Sequence, residues 1–187
     1  MTWIILAVLA AVALYAVVVF NRLTRQRNMV REGWSGIDVQ LKRRTDLVPN
    51  LVETVKAYAA HERGVFEDVA VRRAGSIAAD DVRGQAVAEQ GLNAALGRLF
   101  ALAEGYPELK ANQNFLDLQK QMAEIEDQLQ MARRYYNGTV RNLNISIQSF
   151  PDSVVAGRFG FKPEPFFELD DRSEARAPTV VFPQAKA

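Results

Sequence analysis

The chain opens on an unbroken apolar run and then settles into helical alternation. Trp3 to Phe20 reads WIILAVLAAVALYAVVVF, and the first charged side chain is Arg22. At ~1.5 Å per residue this run makes a helix roughly 27 Å long, just enough to cross a hydrocarbon core of ~30 Å. Ala and Val occupy every face, with no polar stripe of the kind a soluble helix carries. From Val30 to about Ala78 the apolar residues Ile37, Leu41, Val48, Leu51, Val55, Tyr58, Val65 and Val69 fall three, four or seven apart. That spacing lays them on one helical stripe, interrupted by Arg44 and Glu62. Pro49 has no N–H for the carbonyl of Thr45, so the pattern predicts one long helix kinked near Pro49, or two helices end to end.

Further along, Gly75-Ser76 and Ala79-Asp80-Asp81 suggest a turn, and either aspartate suits a helix N-cap. The next helix runs to about Glu104 and ends at Gly105-Tyr106-Pro107. The last long helix carries the clearest pattern, from Phe115 through Met122, Leu129, Tyr136 and Leu143 to Phe150. Its apolar residues repeat at about 3.5, a coiled-coil-like seam of roughly five heptads. Asn112 suits its N-cap and Pro151 closes it. Beyond Pro151, Gly157, Gly160, Pro163 and Pro165 argue against helix, while Phe159, Phe161, Phe166 and Phe167 are too apolar for a free linker. An extended segment docked on the helices is expected there.

The reading is therefore an all-α fold. It has a transmembrane anchor over 1–21, an antiparallel bundle of three to four long helices over 22–150, an extended docked segment over 151–171 and a mobile tail over 172–187. A cleaved signal peptide fits less well. The stretch before the run is Met1-Thr2 without a basic residue, and Val18-Val19-Phe20-Asn21 is a poor cleavage site. A buried core helix would be expected to show a polar face. Arg22, Arg25, Arg27 and Arg31 crowd one flank of the run. By the positive-inside rule they place the N-terminus outside and the bundle in the cytoplasm.

Composition narrows the function classes. All 23 Lys and Arg and all 22 Asp and Glu follow residue 21, so the bundle is close to neutral. A neutral balance argues against nucleic acid, which selects a clustered basic excess. The chain has no cysteine and one histidine. His61-Glu62 lacks the second histidine four residues on that a zinc-protease helix needs; Val65 stands there. There is no phosphate-binding glycine loop, and Ser35 and Ser76 sit in no strained turn. No catalytic, cofactor or metal constellation emerges, and no small-molecule substrate is evident. Two segments carry sharper alternatives. Lys42-Arg43-Arg44 reads as a lipid-facing basic face, or as two solvated residues with Arg44 paired inside the bundle. The stretch from Phe150 to Glu168 reads as a partner-binding element, or as a cover docked on the chain's own helices.

Several of these segments together resemble one family. The run from Trp34 to Glu62, WSGIDVQLKRRTDLVPNLVETVKAYAAHE, closely resembles the first signature of the LemA family. Tyr106 to Gln119, YPELKANQNFLDLQ, resembles the second. Ala132-Arg-Arg-Tyr-Tyr-Asn137, Phe150-Pro151 and Phe159-Gly-Phe161 resemble the remainder. The resemblance implies a bacterial single-pass protein of the inner (plasma) membrane with a helical-bundle domain. It supplies no reaction and no catalytic residues. It points to membrane organisation and to neighbouring membrane proteins, proteases among them.

The expected function is thus a membrane-anchored, non-enzymatic scaffold or adaptor that associates with itself or with other membrane proteins. Its candidate contact residues are Trp34, Lys42, Arg43, Tyr106, Asn114, Phe150, Phe159 and Phe161. Asn112 and Asn137 are the alternative type, polar residues that hold loops in place. The competing readings are a membrane-proximal hydrolase using His61 or Asp38, and a lipid-binding or membrane-remodelling protein using the basic face.

Overall fold

A computed structural model describes residues 1–168, and the expected tail over 172–187 lies outside them. The described elements are helical: α1 (Thr2–Lys56), α2 (Arg63–Ala78), α3 (Val82–Glu104), α4 (Pro107–Lys110), α5 (Gln113–Gln148) and α6 (Asp152–Phe159).

Anchor and first bundle helix are one element. The 55 residues of α1 run without interruption, a length of about 80 Å. No break separates the apolar run from the bundle helix that follows it. Side chains from Thr2 to Val18 stay almost entirely exposed, whereas Val19 and Leu23 are buried. An apolar sleeve left bare along its length is a transmembrane helix, not the core helix of a soluble protein. A cut near residue 20 would also strip Val19 and Phe20 from the core they join.

Pro49 does not end α1. The hydrogen bond it removes is the one to the Thr45 carbonyl. That oxygen accepts instead from Nε of Arg73 on α2, at 2.7 Å. The chain breaks later, over residues 57–62, and turns into α2.

Contacts fix the directions. Gln26 meets Ser146 and Arg44 meets Glu126, so α1 and α5 run antiparallel. Asp68 pairs with Arg98 and Ser76 with Glu89, so α2 and α3 do too. The largest helix–helix interface is α1 on α5. Gly33 sits where these two come closest: a Cβ there would lie 3.1 Å from the Cα of Tyr136. The expected seam of α5 is mostly consumed in this interface. Phe115, Met122, Ile125, Leu129, Tyr136, Val140 and Leu143 are buried. Phe150, its last expected member, is 83% exposed and lies beyond the end of α5.

Caps fall where side-chain chemistry puts them. Asp81 accepts from the Gly84 N–H at 2.7 Å and starts α3. Asn112 accepts from the Phe115 N–H at 3.1 Å and starts α5, while its amide donates to the Tyr58 hydroxyl.

The segment after Pro151 corrects the expectation of a wholly extended chain. Residues 152–159 form α6, and only 161–168 are extended. Asp152 in the first turn suits the positive end of the helix dipole. Gly157 weakens the helix, yet Val155 and Ala156 are buried against α1 and α5, and that packing outweighs the propensity. Gly160 ends α6 at φ 73°, a left-handed conformation that glycine adopts without penalty.

Candidate functional site

A polar layer crosses the middle of the bundle. Two apolar clusters make up the core, one nearer the membrane around Ile37, Leu129 and Leu143, the other distal around Leu51, Leu96 and Leu109. Between them residues of α1, α2, α3 and α5 meet. Glu89 is fully buried and accepts from Arg44 at 3.0 Å, from Gln85 at 3.3 Å and from the Ser76 hydroxyl. Arg44 also donates to Asn93 and lies 3.5 Å from Glu126. Of the two readings of the basic triplet, the paired Arg44 is therefore the one realised. Lys42 and Arg43 are exposed, and Arg43 donates to the Gln40 side-chain oxygen at 3.2 Å.

Arg133 extends the layer. It is 6% exposed, 3.8 Å from Glu126, and its guanidinium lies 5.0 Å from the centre of the Phe167 ring. Burial pushes its pKa below the ordinary arginine value, opposed by the Glu126 and Glu89 carboxylates and reinforced by Arg44. Buried charges of this kind add little net stability, but removing one partner is costly. Sliding α5 by one turn against α1 would part Arg44 from Glu126, so the layer penalises wrong registers.

The aromatic segment docks in cis through a matched ladder. Asn144 donates to the Glu164 carbonyl and accepts from the Glu164 N–H, both at 2.9 Å. Asn137 does the same with Phe167, at 3.1 and 2.9 Å. The two asparagines are seven residues apart on a helix, ~10.5 Å, and their targets are three apart on an extended chain, ~10 Å. Between them the Tyr136 hydroxyl donates to the Pro165 carbonyl at 2.9 Å. Burial, with a smaller contribution from Glu164, raises the Tyr136 pKa to about 12, so the hydroxyl stays a donor.

The predicted contact residues separate into three groups. Trp34 packs edge-on to Tyr136, with ring centres 5.7 Å apart, and against Phe167 at 6.0 Å. Phe161 is buried under Arg27 and beside Phe20. Trp34, on α1, packs under the docked segment, and Phe161 is one of that segment's own packing residues. Tyr106 is half-buried and Asn114 exposed, and both lie near the distal cluster with Lys42 and Arg43 further down the bundle. Phe150 and Phe159 are exposed at the membrane end. Glu89 and Asn144 are not among the candidates the sequence offers; the one signal for Glu89 is its helical spacing with Ala86, Leu92 and Leu96.

Among the described residues no group of three or more His, Asp or Glu side chains is placed to hold a metal ion. The LemA family model matches residues 33–182, a span that takes in the polar layer, the asparagine ladder and the docked segment.

The chain belongs to the LemA family.

Relatives of this LemA-family chain include the magnetosome proteins MamQ 2 and MamQ 1 of Paramagnetospirillum magneticum. Each is 26% identical over 192 residues, covering 88% of this chain and 71% of the relative. Magnetosome protein MamQ of Magnetospirillum gryphiswaldense is 26% identical over 159 residues, covering 71% of this chain and 58% of its own length.

Proposed function

We propose that the protein works by binding rather than by catalysis, as a membrane-anchored scaffold or adaptor. The observation that carries this reading is α1. One helix spans the membrane and then forms a core element of the bundle, with Ile37, Leu41, Val48, Leu51 and Val55 buried. A bundle joined through a continuous helix cannot swivel freely on its anchor. It presents a fixed face at a fixed height, and confinement to a surface raises the effective concentration of its partners. With the seam of α5 occupied by α1, association uses surface outside it. The distal end, with Tyr106, Asn114 and exposed Leu116, is the surface we assign to protein partners. These partners are other copies of the chain or neighbouring membrane proteins, a membrane protease among them. Kinship with magnetosome proteins agrees with a role in an assembled structure. The four arginines after the span favour a cytoplasmic bundle at the inner membrane.

The natural absence of cysteine makes any introduced cysteine unique. Asn114→Cys in native membranes should give reproducible cross-linked species above monomer size, and should react with an impermeant thiol reagent only after the cells are opened. Monomer alone in every cross-linking condition would remove the scaffold reading, and labelling in intact cells would reverse the orientation.

A further inference from the structure

We infer that α6 is a second membrane contact, a short helix lying in the lipid interface with Val154, and Phe150 and Phe159 at its two ends, turned into the leaflet that α1 leaves. The inference rests on the transmembrane reading of α1.

Position comes first. Both ends of α6 touch α1 at the close of its apolar run. At the start, Asp152 accepts from the Tyr15 hydroxyl at 3.2 Å and pairs with Arg22. At the end, the Phe159 ring lies 5.0 Å from that of Phe20. Residues 15–22 span only ~10 Å along the helix axis. The bare apolar sleeve of α1 continues through Val17 and Val18, which are 55% and 57% exposed. The outer face of α6 therefore continues a surface already in lipid.

The chemistry of that face agrees. One side of α6 is buried on the protein through Val155 and Ala156. The other carries Val154, 63% exposed, and at the two ends of the helix Phe150, just before it, is 83% exposed and Phe159, resting edge-on against Phe20, is 58% exposed. Interfacial helices place such groups ~5–10 Å into the boundary between headgroups and acyl chains. Arg22, Arg25, Arg158 and Lys162 are exposed around it, where anionic phosphates would lie. The one carboxylate of α6, Asp152, is turned inward and answered by Tyr15 and Arg22, so no negative charge faces the headgroups from this helix. The occupant this surface fits is an anionic bilayer.

The test uses the full chain in vesicles of phosphatidylcholine and phosphatidylglycerol, with a fluorophore on a single introduced cysteine. Val154→Cys reports α6, Val18→Cys the span and Leu116→Cys the distal bundle. A nitroxide at a shallow acyl position should quench the label at 154 at least about half as strongly as at 18, and about five-fold more than at 116, with aqueous iodide giving the reverse order. Without phosphatidylglycerol the lipid quenching at 154 should fall yet stay above that at 116; an unchanged value removes the role of the basic rim. If 154 behaves like 116 while 18 is quenched by lipid, α6 is not a membrane contact although the anchor stands. Shielding at 154 from both quenchers would mean a protein cover, and would also overturn the inference. If 18 escapes the lipid quencher too, the anchor reading itself falls.

Discussion

Single residues in this chain answer one another across helices. Pro49 orphans the Thr45 carbonyl, and Arg73 donates to it from α2. Arg73→Ala should cost about 1–2 kcal/mol, the usual penalty for an unanswered, partly buried acceptor. In a Pro49→Ala background the helical N–H returns, and the same substitution should cost much less. Urea unfolding of the four proteins in one detergent measures the difference; equal costs would separate Arg73 from Pro49. Glu89 makes a stronger case because it is fully buried between Arg44, Ser76 and Gln85. Glu89→Ala should destabilise by about 3–5 kcal/mol, and exchanging Glu89 and Arg44 together for Met should cost less than that single change. A double variant no better than Glu89→Ala would show that the pair is not the source of the penalty. Arg44 was legible in the sequence as a charge on an apolar stripe. Its partner, 45 positions away, was not, because ion pairs between elements depend on register.

At the scale of elements, long apolar periodicity marks α3 and α5, the break after α1 falls at 57–62 rather than near Pro49, and the short helices α4 and α6 carry no such pattern. α3 and α5 begin at Asp81 and Asn112 because each supplies a capping oxygen to the N–H three residues ahead. α6 escaped because its eight residues include Gly157 and sit between prolines, so local preference argues against it. Burial of Val155 and Ala156 on the bundle supplies what propensity lacks. The docked strand-like segment depends on two side chains. Asn137→Ala should lift the hydrogen-exchange protection of the Phe167 amide, and Asn144→Ala that of the Glu164 amide, each at a stability cost of roughly 1–2 kcal/mol. Fast exchange at both amides in the unaltered protein would contradict the ladder.

At the scale of the molecule, the exposed apolar run and the fold share one helix, and burial of large side chains begins at Val19. Removing residues 1–14 should leave a helical bundle that unfolds cooperatively. Removing 1–24 also takes Val19 and Leu23, each worth about 1.5–3 kcal/mol when buried, and should lower the melting temperature by on the order of 10 °C. Circular dichroism melts of the two truncations make the comparison; equal midpoints would place the fold boundary after residue 24. The polar layer between two apolar clusters gives the long bundle a defined register, since apolar packing alone tolerates sliding more readily than a layer of paired charges.

What the sequence determined by itself is everything set by local spacing. This covers an uncharged run long enough to span a bilayer, helices where apolar residues recur at helical intervals, caps at Asp81 and Asn112, and the residues that carry the family resemblance. What only the tertiary structure decided are the pairings over long separations: Arg73 with the carbonyl freed by Pro49, Glu89 with Arg44, the asparagine ladder, and α6 against the end of the span. The physical reason is range. Helix formation is settled by neighbours three or four residues apart, whereas these contacts exist only once α1 and α5 have been laid antiparallel and brought within van der Waals distance at Gly33.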